Sequence, residues 1–253
     1  GHAATCVINF CNPQGGCETE HVAPHSDMLL GALVTCLGGG GSCTPEVMEE
    51  ALGAVTRIAH VSNADFGRFY AAFMPGILGI LATCSGPDQQ RLRGKAMQCV
   101  GIIGTAVGVD MFRADALKVL EALMPAMQCG ASGQFPDGYF EYYAPAAAQI
   151  SHALKDQFAP FLPTVIPPLL HALDSSNSKN LFSATEVDAA AEAAAGVSGE
   201  GDTTTDEDTG IATSVIKVAG GAMMRITLNT HLVMEKQMAA KTFYEYASAL
   251  GVT

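Results

Sequence analysis

Cys6, Cys11, Cys17, His21 and His25 carry the first chemistry to weigh, because thiolate and imidazole are the side chains that hold zinc. Their intervening spacings of four, five, three and three residues resemble a Cys/His zinc site. Against that reading, Cys6 and Cys11 are five residues apart on a segment of helical character, where two side chains do not aim at one ion. The two-residue spacing of a cysteine knuckle is also missing, so no metal is expected. Glu49 and Glu50 have the residue types of an acid/base pair. Adjacent helical residues point about 100° apart, however, and do not converge on one reacting atom. Gly38–Gly41 could cradle a phosphate, but no strand precedes the glycines and no lysine follows them. Neither a glycine-framed nucleophilic serine nor a histidine pair around a glutamate occurs. The expectation is a protein without catalytic residues, metal or cofactor.

The elements that would position functional groups are helices. Two apolar-periodic segments, Phe66–Thr83 and Gln89–Val107, are split by the breaker Cys84-Ser85-Gly86-Pro87-Asp88. Phe69, Phe73, Ile77, Ile80 and Leu81 mark the buried face of the first, and Met74-Pro75 is expected to kink rather than end it. Leu92, Ala96, Cys99, Val100, Ile103 and Val107 mark the second, with Arg91, Gln98 and Thr105 opposite. Such a pair cannot bury its apolar surface alone, and the chain supplies more pairs on both sides. Ala3–Cys11 reads as the last turns of a helix that begins earlier, so the chain is expected to be a piece of a longer protein. A helix over 27–37 has Met28, Leu29, Ala32, Leu33 and Cys36 as its apolar set. The next, from the Thr44 cap and Pro45 to about Val61, buries Val47, Ala51, Leu52, Val55, Ile58 and Ala59.

Further along, Met111–Met127 places Leu117, Leu120, Ala122, Leu123 and Met124 inside, and Met124-Pro125 echoes Met74-Pro75 about fifty residues on. A loop over 129–138 leads to a helix over 139–154, and Phe158–Leu173 is a helix broken by prolines near its start. The composition then changes. Residues 184–210 hold eight acids and no lysine or arginine, leaving 17 acids against 13 basic residues elsewhere, a balance of −4 within a net charge of −12. That acidic stretch is expected to be a disordered loop, apart from some helix over 186–195. Residues 214–228 read as a β-hairpin about a Gly-Gly turn, and Val233–Leu250 as the helix that closes the last pair. The domain reading is helix pairs over 1–174, an insertion over 175–232, and a closing helix over 233–253.

These elements make the fold class all-α, an α-solenoid built as a right-handed stack of antiparallel helix pairs with a small β-hairpin and acidic loop inserted. No basic patch supports direct nucleic-acid binding. No run of 18 consecutive apolar residues supports a membrane span, and eight cysteines without a signal peptide read as reduced thiols. The second helices of the pairs would line the concave side, where an extended peptide could run. Asn9, Glu50, Arg57, Gln98, Gln149 and His152 are the candidate peptide-binding residues; Glu50 and Arg57, seven apart, share one face.

Met74-Pro75 with its apolar helix, then LRGKAMQCVGIIGTAVG at 92–108, resembles the HEAT repeats of the beta-karyopherins, the importin beta family. VINF at 7–10, QFAPFLPTVIPPLL at 157–170 and VMEKQMAAKTFYEYASALG at 233–251 extend the resemblance over most of the chain. It implies a nuclear transport receptor with import cargo on the concave surface, released by Ran with bound GTP. It further implies contact with phenylalanine-glycine nucleoporins and shuttling between cytoplasm and nucleus. An insertion within one repeat also agrees with the family. At Gln98 the family tends to carry a carboxylate, and the neutral amide here weakens any capture of lysine. The alternative is a HEAT scaffold for a protein complex, such as a phosphatase regulatory subunit.

Overall fold

The structure, a computed structural model, describes residues 2–11, 23–38, 43–84, 86–136, 138–174, 181–187, 203–206, 210–218 and 222–251. The chain divides into two compact units, Gly1–Leu169 with Thr242–Thr253, and Leu170–Lys241.

In the first unit the helices form two rows. One row is α1 (His2–Phe10), α3 (Pro45–Ser62), α5 (Gln90–Val107) and α7 (Ala144–Leu154), each packed on the next. The other is α2 (Ser26–Leu37), α4 (Tyr70–Thr83) and α6 (Val109–Ala131). Within each pair the short connection makes neighbours antiparallel. This is the stack of helix pairs that the periodicity predicts. Leu52, Val55 and Ile58 of α3 and Cys99, Val100 and Ile103 of α5 are fully buried on the predicted faces. The row of α2, α4 and α6 is cross-linked by Tyr70, whose hydroxyl donates to Asp115 Oδ2 at 2.7 Å.

The joints between pairs repeat a backbone device. α3 gives way at Asn63 (φ 47°, ψ −127°) and α7 at Lys155 (φ 50°, ψ −128°). The chain then runs through 3-10 segments, Asn63–Phe69 and Lys155–Phe161, that bury Phe66 and Phe158 completely. At the intervening joint Gly108 takes φ 82° and α6 begins at once. Pro75 and Pro125 lie inside α4 and α6, which continue past them. By length and hydropathy alone Asp65–Thr83 could cross a bilayer. Phe66, Phe73, Ile77, Ile80 and Leu81 are buried inside the unit, while 33% of the stretch in all is buried and small residues occupy its outer side.

The division between the units falls within α8 (Leu162–Leu173) and α9 (Thr230–Ala249). Among the described residues the second unit holds four strands, β1 (Phe182–Val187), β2 (Thr203–Asp206), β3 (Ile211–Lys217) and β4 (Met223–Asn229), in an antiparallel sheet ordered β1-β4-β3-β2. The predicted hairpin is its β3–β4 centre, closed at Lys217↔Met223. Asn229 Oδ1 accepts from the Leu232 amide at 3.1 Å and so caps α9. At the C-terminal end of α8 the carbonyls of Ala172 and Asp174 accept from Lys236 Nζ at 2.9 and 3.0 Å.

Several expectations need correction. In α2, Met28 is 71% exposed while Leu30 is fully buried, because a helix apolar nearly all round leaves its inward phase open. In α6, Leu117 is exposed, and the helix continues through Ala131, so the loop expected over 129–138 starts later. Thr44 makes no cap bond to the backbone. The neighbouring Thr44 hydroxyl instead holds the Glu46 carboxyl below its usual range. The acidic stretch is not loop throughout. Residues 184–187 pair with β4 and 203–206 with β3, and Glu186, expected to open a helix, lies opposite Met224. A long-range sheet partner overrides local composition there. The remainder, including the rest of the helix expected over 186–195, lies outside the described residues.

Candidate functional site

The candidate residues lie on the row of second helices, and there most are bonded to the neighbouring pair rather than left open. Glu50 on α3 accepts from the Thr5 hydroxyl of α1 at 3.1 Å. Gln98 on α5 donates through Nε2 to the Glu141 carbonyl at 2.9 Å. Thr105, two turns further along α5, brings its hydroxyl within 3.3 Å of the Gln149 carbonyl on α7. His152 Nε2 and Glu245 Oε2 stand 2.7 Å apart, joining α7 to α9 inside the first unit, where Tyr246 stacks on Phe158. Thr5–Glu50, Gln98–Glu141 and Thr105–Gln149 are separated in sequence by 45, 43 and 44 residues, so each tie spans about one repeat, one joining α1 to α3 and two joining α5 to the following pair.

Asn9 on α1 and Arg57 on α3 are exposed and carry no hydrogen bond or ion pair among the described residues. The face is therefore a series of polar ties, with exposed groups between them able to meet an extended chain. Glu49 has a partner on the next pair. It pairs with Arg91 of α5 at 2.9 Å, with 14% of its own side chain exposed against 68% for Arg91. The partners Thr5, Glu141 and Glu245 escape a reading based on helix faces, because each lies about a repeat or two from the residue it holds. Only a search for polar residues recurring at the repeat length could have found them.

The glycines of α5 explain how these helices come so close. A Cβ at Gly94 would lie 2.3 Å from the Tyr142 ring, and one at Gly101 2.6 Å from Gln149 Cβ. Burial and then the nearby Glu141 push the Tyr142 phenol up to about 12. On the other row a groove of about 630 Å³ opens between α2 and α4, lined by small apolar residues such as Ala71, Ala72, Pro75 and Gly76.

For metal binding, Cys17 and His21 lie outside the described residues. Among the described residues no three His, Cys, Asp or Glu side chains converge on one point, and Cys6 is exposed where Cys11 is buried.

No family model matches the chain. It is 29% identical over 185 residues to importin subunit beta-3 of Saccharomyces cerevisiae, covering 73% of this chain and 16% of that protein. It is 22% identical over 157 residues to a probable importin-5 homolog of Dictyostelium discoideum, covering 62% and 14%. Among solved structures, Kap121p bound to Pho4p superposes on 98% of this chain and 21% of its own, with TM-score 0.71 and 25% identity. Kap121p bound to RanGTP gives TM-score 0.68 and 26% identity over the same shares. The chain thus spans about one sixth of the curated relatives it matches and a fifth of those solved chains. The fold is accordingly a HEAT-repeat α-solenoid carrying a small sheet.

Proposed function

We propose, on the premise that the homologues of this chain are karyopherins of the importin beta family, that it is a stretch of a nuclear transport receptor that holds import cargo on its row of second helices. The observation that carries this reading is the superposition of nearly the whole chain on Kap121p, a protein solved with Pho4p and with RanGTP. Extended, basic import segments are the cargo class. Ran with bound GTP and phenylalanine-glycine nucleoporins act on the whole receptor, which shuttles between cytoplasm and nucleus. The role is binding, not catalysis. The scaffold alternative is not favoured, since the relatives above are named importins.

Asn9 and Arg57 are the exposed groups best placed to meet an extended peptide, with Glu50, Gln98, Gln149 and His152 holding the surface together beneath it. An exposed ion pair contributes about 0–1 kcal/mol, so affinity has to come from several weak contacts and should weaken with salt. The test is fluorescence anisotropy of a labelled lysine-rich import-signal peptide against the chain. Asn9→Ala with Glu50→Lys should weaken binding several-fold, while Arg113→Ala on α6 should leave it unchanged. Binding that ignores the double variant but is lost on the α6 change would reject the assignment.

A further inference from the structure

We propose, building on the transport reading above, that Arg91 is an internal competitor for cargo: it holds the Glu49 carboxylate until a lysine or arginine of the bound segment replaces it. Glu46, Glu49 and Glu50 all lie in the first two turns of α3. Glu50 takes a neutral donor, the Thr5 hydroxyl of α1, and Gln98 offers a neutral amide to the Glu141 carbonyl. At Glu49 the donor is itself a cation. Arg91 Nε, on the next helix of the row, stands 2.9 Å from Glu49 Oε2. A guanidinium already seated on a carboxylate of the candidate face shows which ligand chemistry that position accepts.

The pair is lopsided. The Glu49 side chain is 14% exposed and that of Arg91 68%. A sheltered carboxylate left without a counter-ion is unfavourable, so Glu49 needs a cation in place. Arg91 returns to water readily, because an ion pair whose cation is already well solvated is held weakly. A cargo ammonium or guanidinium brings the same charge and N–H donors to Glu49. The exchange is balanced: one ion pair is dismantled, one is formed, and no proton moves. A segment without a basic residue at the α3–α5 step leaves Arg91 seated. Arg91 thereby selects for a basic residue at this one register, and it lowers the affinity of every segment that has to displace it.

The test compares wild type, Arg91→Gln, Glu49→Gln and the double variant, using anisotropy of the labelled lysine-rich peptide at low and high salt. Arg91→Gln should bind about two- to fivefold tighter, the worth of one exposed ion pair. Its binding should also fall more steeply with salt than that of wild type. Only in the variant does binding create an ion pair at Glu49 without dismantling one. The double variant should lose the gain. Arg113→Gln, which removes the same charge from the exposed side of α6, should leave affinity unchanged. An Arg91→Gln chain that binds as wild type does, or more weakly, overturns the inference and leaves the transport reading standing. So does a gain that persists in the double variant, since it then owes nothing to Glu49. If neither wild type nor Arg91→Gln binds the peptide, the transport reading falls and the inference falls with it.

Discussion

Lys155 holds φ 50° and ψ −128°, a region that glycine occupies freely and that strains a residue with a Cβ. Asn63 adopts the same conformation two repeats earlier, so the strain belongs to the joint and not to either side chain. Strain of this kind costs about 1–3 kcal/mol, against about 0.5–1 kcal/mol for the extra freedom glycine brings to the unfolded chain. The strain is the larger effect. Lys155→Gly is therefore expected to stabilise the fold by about 1 kcal/mol, read as a higher urea midpoint with an unchanged slope. A lowered midpoint would mean that the lysine side chain holds the joint together. The third joint, at Gly108, was legible as the end of the apolar segment Gln89–Val107. Lys155 and Asn63 were not, since neither residue type signals positive φ strongly enough to be read from its neighbours. The same limit applies to His152 and Glu245, whose 2.7 Å contact joins residues 93 apart. Both side chains are nearly a third exposed. A double-mutant cycle of His152→Ala with Glu245→Gln should accordingly return a coupling of only about 0.5–1 kcal/mol at neutral pH.

α5 shows how far an element can be read from its own residues. Its buried face was visible in the spacing of Leu92, Ala96, Cys99 and Ile103, because the neighbours on both sides demand one continuous apolar stripe. Its glycines look like weaknesses in the same sequence, and their purpose shows only in the packing. Gly94→Ala should improve helix propensity by about 1 kcal/mol. The new Cβ would overlap the Tyr142 ring at 2.3–2.6 Å, however, and Tyr142 is 6% exposed with little room to move. Overpacking of that kind costs about 1–3 kcal/mol or more, so the variant should be destabilised. Gly31→Ala in α2, where nothing lies within 4 Å of the added carbon, should be stabilised by about 0.5–1 kcal/mol. Equal shifts in the two thermal midpoints would contradict the close approach of α5 to the segment before α7. The outer row was less legible: Met28 and Leu117 lie at the margins of broad apolar faces, where several inward phases satisfy one pattern. β1 was illegible for a different reason, since Phe182–Val187 acquires its structure from β4, some forty residues away, and its acidic surroundings pointed to disorder.

At the scale of the molecule, the candidate face was legible as a set of positions but not as a set of bonds. Amphipathic spacing located Glu50, Gln98, Gln149 and His152, while the ties that occupy them depend on stacking one pair upon the next. That stacking also buries phenols drawn from different pairs. Tyr70, Tyr139 and Tyr246 are pushed by burial well above their ordinary range, helped at Tyr70 by the bond to Asp115 and at Tyr246 by Tyr139. Tyr142 is raised to about 12, by burial first and then by Glu141. In the unfolded chain a tyrosine ionises near pH 10. A folded-state pKa raised above the unfolded one means that folding favours the protonated phenol. Its contribution to stability is complete below about pH 10 and is lost as pH rises from there through the folded values. Stability in urea should therefore be flat approaching pH 10 and fall steadily between about pH 10 and 12. Tyrosinate absorbance, followed alongside far-ultraviolet circular dichroism, should rise in two stages, the later one coinciding with loss of helix. Because these four phenols come from α4, the segment before α7 and α9, they should titrate together with unfolding rather than one by one. If all six tyrosines ionise near pH 10 while the helices persist, the packing between successive pairs is looser than the buried rings require.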